Sequence, residues 1–212
     1  MGADPDDGDQ KERLVATALK LGSWIVLVGL FTVAIGAPYE HPVSSRSIRE
    51  AYFLGQGADE RLGRFLAEYV KHPPAPKRGP HVTEIEIRTP YHQVVRRAQL
   101  ASVGYSAQQA EQDYHRKPDV IVVQVLISLT PTYQPRSPDF WRDFSIRFFQ
   151  EKGVSPKKVS GKAGFDEGGG LAGAAVEFEF DPADVVSAPF RVEVLTPDSQ
   201  RVEAEFDLGT LR

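Results

Sequence analysis

Val120 to Leu129, VIVVQVLISL, is the stretch whose pattern decides the fold. Ile121, Val123, Val125, Ile127 and Leu129 alternate with Val120, Val122 and Leu126, so both faces of an extended strand here are apolar. Successive strand side chains point to opposite faces, and a surface strand keeps one of them polar. A strand with no polar face is central, covered on both sides. The helical segments just before it are the simplest cover for its second face.

Toward the carboxyl end the chain reads as strands. Pro131, Pro135 and Pro138 make a loop, after which Phe140 to Phe149 resumes as a strand with Phe144, Ile146 and Phe148 on one face and Trp141 and Phe149 on the other. Ala174 to Phe180 buries Val176, Phe178 and Phe180, Phe190 to Leu195 buries Phe190, Val192 and Val194, and Val202 to Leu208 buries Val202, Ala204, Phe206 and Leu208. Thr196-Pro197-Asp198-Ser199 between the last two is turn chemistry, which makes them an antiparallel hairpin. A weaker strand lies near Lys157 to Phe165.

Toward the amino end, Val82 to Arg88 alternates Ile85 and Ile87 against Glu84, Glu86 and Arg88, the mark of a half-buried strand. Between it and the central strand, Thr89-Pro90 opens one helix and the Ser106/Gln109 capping box opens another, which Pro118 ends. Before it, Ser47-Ile48-Arg49-Glu50 is a capping box opening a helix that Gly55 and Gly57 stop, and Asp59 to Val70 carries Leu62, Phe65, Leu66 and Tyr69 on one stripe. His72-Pro73-Pro74-Ala75-Pro76 is a stiff connector. About seven strands with turn signals between them resemble the immunoglobulin-like superfold. The resemblance implies a mainly antiparallel β-sandwich over 81–212, with a helical insertion at about 90–117 and a helical linker region at 38–80. It rests on architecture, lacks the Cys pair of true immunoglobulin domains, and carries no function with it.

Farther toward the amino end stands Leu21 to Ala37, LGSWIVLVGLFTVAIGA, which has no charged residue. A bilayer core needs roughly 20 apolar helical residues, and Leu14 to Ala37, whose single Lys20 can snorkel, supplies that length. The expectation is a transmembrane helix after an acidic cytoplasmic tail at 1–13, giving an α+β chain anchored in a membrane. Lys11, Arg13 and Lys20 crowd the amino side of the run, so the positive-inside rule keeps that end cytoplasmic and exports the carboxyl domain. The alternative is a secreted module cut near Ala37, for which Ala34 and Gly36 supply small residues at a cleavage site. Against cleavage, the segment before the run is long and acidic, with Asp4, Asp6, Asp7, Asp9 and Glu12.

The chain has 212 residues, a net charge of -4 and no Cys. That excludes disulfides, thiol nucleophiles and thiolate metal sites, and no basic face advertises nucleic acid as a partner. Of the five His residues, Glu111 and His115 sit one helical turn apart, without the paired-His spacing of a metal site; all five read as solvent-facing polar groups. Gly104-Tyr105-Ser106 starts like a nucleophile elbow but has Gln108 in place of the second Gly, so Ser106 serves better as a cap. Ser160-Gly161-Lys162 lacks the rest of a phosphate loop, Gly168-Gly169-Gly170 reads as a mobile loop, and Asp181-Pro182-Ala183-Asp184 as a capped turn. No cofactor, metal or catalytic set is expected. Tyr133, Phe140 and Trp141 near the Pro-rich loop are the candidate interaction surface, because aromatics supply large contact area to a glycan, a peptide or a protein partner in a membrane complex. The functional expectation is a non-catalytic envelope protein with an exported interaction or structural domain; an exported hydrolase ranks behind the secreted module.

Overall fold

Local chemistry places the helices. Thr89 Oγ1 accepts from the His92 amide at 3.2 Å with Pro90 at the first helical position, and Ser106 Oγ accepts from the Gln109 amide at 3.2 Å. The computed structural model describes residues 39–212. Among them are helices α1 (Ser45–Gln56), α2 (Glu60–Glu68), α3 (Pro90–Leu100) and α4 (Ala107–His115). The strands are β1 (Val70–Lys71), β2 (His81–Arg88), β3 (Ile121–Ser128), β4 (Ser145–Phe149), β5 (Gly153–Val154), β6 (Lys158–Phe165), β7 (Leu171–Phe180), β8 (Pro189–Leu195) and β9 (Arg201–Asp207). They form two sheets, ordered β1-β2-β3-β7-β6 and β5-β4-β8-β9, with every pairing antiparallel.

The alternation read from the sequence becomes the inner faces of these sheets. Ile85 and Ile87 stand across from Val125 and Val123, which face Val176 and Phe178 in turn. On the other sheet Phe148 pairs with Val192, which pairs with Ala204. Phe148 lies 4.9 Å from Phe178 and 4.8 Å from Phe180, ring centre to ring centre, so the two sheets meet through edge-to-face aromatics in one apolar cluster. The fold is α+β and mostly antiparallel sheet. The hairpin β8-β9 turns at Thr196 to Ser199, where Ser199 takes φ 67°.

β3 is the middle strand of its sheet, but only one of its faces is sealed. Ile121, Val123, Val125 and Ile127 are buried, whereas Val122, Gln124, Leu126 and Ser128 are half-buried. The helices do not supply the expected cover, because their apolar faces pack on one another. Val43, Ile48, Ala51, Leu62, Tyr91, Val94, Val95 and Ala110 form a second cluster, which the Phe65 ring joins to the main one. Val122 is flanked instead by Arg88 and Glu179, and Leu126 by Glu84 and Ala175; the stems of the charged neighbours give partial cover.

Other expectations are corrected in detail. Helix α1 is capped by Ser44, whose Oγ accepts from the Ser47 amide; Ser47 spends its own hydroxyl on Glu40 at 2.6 Å. Gly55 lies inside α1, and Gly57 follows its end. Phe140–Asp143 is a 3-10 turn begun by Ser137, so the strand expected from Phe140 starts at Ser145. The two-residue strands β1 and β5 are too short to show an alternation. The segment read as a helical linker contributes α1, α2 and β1 to the same compact unit as the sheets. The apolar run Leu14 to Ala37 lies outside the described residues, and no helix among the described residues is long and apolar enough to cross a membrane.

Candidate interaction surface

Tyr133, Phe140 and Trp141 come from the loop between β3 and β4. A Thr130–Tyr133 bridge closes the loop's start, and the 3-10 turn points Phe140 inward. Phe140 is 2% exposed, edge-on to Tyr133 at 6.3 Å and to Phe144 at 6.2 Å, so its ring is spent on the core. Tyr133 and Trp141 are half-buried against the same core. Trp141 lies on the backbone of β6: a Cβ at Gly161 would come within 2.2 Å of the indole. Glycine at 161 is what lets the ring approach so closely there, and the Arg142 guanidinium lies 4.9 Å from the ring centre. The indole Nε1 is buried and finds no acceptor among the described residues.

The strand under Trp141 is the more open feature. β6 ends its sheet, and Val159 and Phe165 on it are 46% and 60% exposed. The β6-β7 connection is a turn rather than a free loop, since Asp166 Oδ1 accepts from the Gly168 and Gly170 amides at 2.9 and 2.8 Å. Asp181 caps its own turn in the same way through the Ala183 amide at 3.1 Å.

Among the described residues are two concavities of note. One, of about 50 Å³ between α3, α4 and the start of β3, is lined by Gln93, Arg97, Tyr105, Asp113, Tyr114 and Asp119 among others. Ligand sites run from roughly 300 Å³ upward, so this one is too small. The other is an open depression of about 540 Å³ between the Pro-rich loop and the start of β7, lined by Leu129, Thr130, Pro131, Gln134, Pro135 and Asp166 among others. Tyr133, Phe140 and Trp141 line neither.

The polar groups that join α4 to the segment before α1 have structural geometry. Tyr114 donates to Asp119, His41 Nδ1 lies 3.1 Å from the same carboxylate, and the Val43 amide donates to the Tyr114 oxygen at 2.9 Å, which ties the segment before α1 to α4. Burial and the Asp119 charge hold the Tyr114 hydroxyl well above the usual tyrosine range. The carboxylate stands between hydroxyl and imidazole, whereas a hydroxyl–imidazole–carboxylate triad has the imidazole in the middle. Glu111 pairs with Arg49 at 3.5 Å, and no group of three His, Asp or Glu side chains among the described residues converges as a metal-ligand set.

His92 escaped the sequence reading, which put every histidine in solvent. It is fully buried against Tyr69 and Phe65, with Glu86 Oε1 3.7 Å from Nε2 and Arg88 holding that carboxylate at 2.6 Å. Its spacing three residues before Val95, on the buried side of α3, was the available signal. No protein-family model matches the chain, and no curated protein matches it.

Proposed function

We propose that this is a single-pass, membrane-anchored envelope protein whose folded part is an immunoglobulin-like sandwich, serving on the exported side as a non-catalytic interaction or structural module. The observation that carries the proposal is the uncharged run Leu21 to Ala37 directly ahead of the folded unit, with Lys11, Arg13 and Lys20 on its amino side. The immunoglobulin-like assignment draws support from strand order. With β2 to β9 taken as A, B, C, C′, D, E, F and G, the two sheets run A-B-E-D and C′-C-F-G, the order of that superfold with α3 and α4 inserted between A and B. Such a scaffold presents surfaces and is silent on chemistry, so the interaction role rests on the exposed edge of β6. A second role, a secreted module cut near Ala37, is favoured by Ala34 and Gly36 and opposed by the long acidic start.

Orientation is open to a clean test because the chain has no Cys. Val103→Cys, at a position 106% exposed, gives a single thiol on the folded unit. A membrane-impermeant maleimide is expected to label it in intact cells or spheroplasts. Labelling only after lysis would place the folded unit in the cytoplasm and overturn the proposal.

A further inference from the structure

A strand at the end of a sheet offers a row of unpaired main-chain N–H and C=O groups, and proteins ordinarily shorten, charge or cover such edges. Two of the four sheet ends here follow that rule through length, since β1 and β5 have two residues each. A third, β9, carries Arg201, Glu203, Glu205 and Asp207 along one face. β6 follows it only in part: Lys158 and Lys162 put charge on one of its faces, and its pairing with β7 is irregular between Gly164 and Phe165. It runs for eight residues, KVSGKAGF, and among the described residues no strand pairs with its outer side. Its apolar Val159 and Phe165 stay exposed, and no carboxylate lies on the strand.

The register sorts its side chains into two rows. Lys158, Ser160 and Lys162 share a face with Glu179, Glu177 and Ala175 of β7, while Val159, Gly161 and Ala163 share the other with Phe178, Val176 and Ala174. Lys158 is engaged by Glu179 at 2.6 Å. Lys162 is exposed and has no carboxylate within ion-pair distance among the described residues. On the second face the Trp141 indole, packed over Gly161, continues the apolar row that Val159 begins. A strand laid along this edge therefore puts alternate side chains beside lysines and beside apolar groups.

A second copy of the chain is a poor occupant in the register that opposes its lysines. Two β6 strands related by a two-fold axis run antiparallel, and centring them on Ser160 sets Lys158 of each against Lys162 of the other. Like charges directly opposed across strands are destabilising. An acidic residue at those positions turns the same contacts favourable.

We propose that the open edge of β6 docks an extended segment of a partner protein in which acidic and apolar residues alternate, added to the sheet as a further strand. Main-chain hydrogen bonds supply affinity in such an addition and the alternate side chains supply selectivity. The proposal rests on the interaction role above and goes beyond it by naming the edge and the chemistry of the partner.

The test uses the full chain in detergent micelles and a labelled eight-residue peptide alternating Glu and Val, followed by fluorescence anisotropy. Three comparisons accompany it: the same peptide with Lys for Glu, the Glu–Val peptide with alternate amides N-methylated on its bonding edge, and the Lys162→Glu protein, whose melting temperature is measured alongside. Binding of the Glu–Val peptide is expected, with loss on N-methylation, loss on Lys substitution, and affinity lower by roughly tenfold in Lys162→Glu. Absence of binding by the Glu–Val peptide overturns the proposal, as does equal binding by the N-methylated peptide or by the Lys peptide. So does a folded Lys162→Glu protein with unchanged affinity; should that variant not fold, the peptide comparisons decide alone. None of these outcomes depends on whether the chain is anchored or cleaved, so failure of the edge and failure of the anchor are read separately.

Discussion

His92 packs with the rings of Tyr69 and Phe65, 4.4 Å and 6.0 Å away centre to centre, with neither nitrogen hydrogen-bonded among the described residues. Burial, helped by the positive charges of Arg96 and Arg88, pushes its pKa down to about 3. The Glu86 carboxylate, which would favour the imidazolium, is already neutralised by Arg88. In the unfolded chain the group titrates near its ordinary value of about 6.5. The unfolded state therefore gains a proton that the folded state refuses, so the stability is fully present above about pH 6.5 and declines as pH falls toward 3. The limiting slope for this one proton is about 1.4 kcal/mol per pH unit. His92→Phe, which keeps a ring against Tyr69, is expected to flatten this part of the dependence; urea midpoints from pH 7.5 to pH 4.5 compare the two proteins, and parallel curves would contradict the assignment. A lone polar residue in a helix is assigned to the wet side by composition alone. The spacing to Val95 marks the buried side of α3, but the rings that complete the burial, Phe65 in α2 and Tyr69 at its end, meet His92 through a tertiary contact that no local pattern specifies.

At the scale of elements, what local chemistry controls was legible. Thr89-Pro90, Ser106, Asp59 and the alternation of β7, β8 and β9 fall where the sequence puts them, because caps and period-two patterns are decided within a few residues; in β2 Ile85 and Ile87 are inside as read, but Glu86 is buried beside them and the register shifts between Val82 and Glu84. Gly55 was legible only as a glycine. Its expected role was to stop α1; in the fold it lies one residue before the helix ends, where a Cβ would come within 2.3 Å of the Val95 carbonyl oxygen and 2.8 Å of the Ala98 Cβ. It sets how closely α1 approaches α3, and Gln56 extends the contact by donating to the Ala98 carbonyl at 2.5 Å. Replacing glycine by alanine favours a helix by about 1 kcal/mol, but forcing a methyl into a backbone contact costs about 1–3 kcal/mol. The clash is with main chain, which cannot rotate away, so Gly55→Ala is expected to lower stability on balance. Chemical denaturation of the two proteins checks this, and a stabilised variant would show that the helices do not meet there. Tyr133, Phe140 and Trp141 show the same limit: the sequence grouped them near a loop, but which of the rings turn inward depended on the 3-10 turn and on Gly161 across the sheet.

Across the whole molecule, the apolar pattern of Val120 to Leu129 correctly implied a middle strand, since β3 has two strands to either side. It did not say what covers the second face. An amphipathic helix buries its stripe equally well against a sheet or against other helices, and here the four helices form a cluster of their own around Ile48, Val94 and Val95. β3 is left with Val122 and Leu126 among charged neighbours, and the strand at the far side of that sheet is left with an unpaired edge. A folded unit with such an edge suits a tethered module that meets its partner at a membrane. The central claim is the tether, and its most direct measurement is to express the full chain, wash the membranes at alkaline pH and read the mature amino terminus by mass spectrometry. The account predicts protein retained in the washed membrane with its terminus at or near Met1. A soluble product beginning near Ala37 would contradict it.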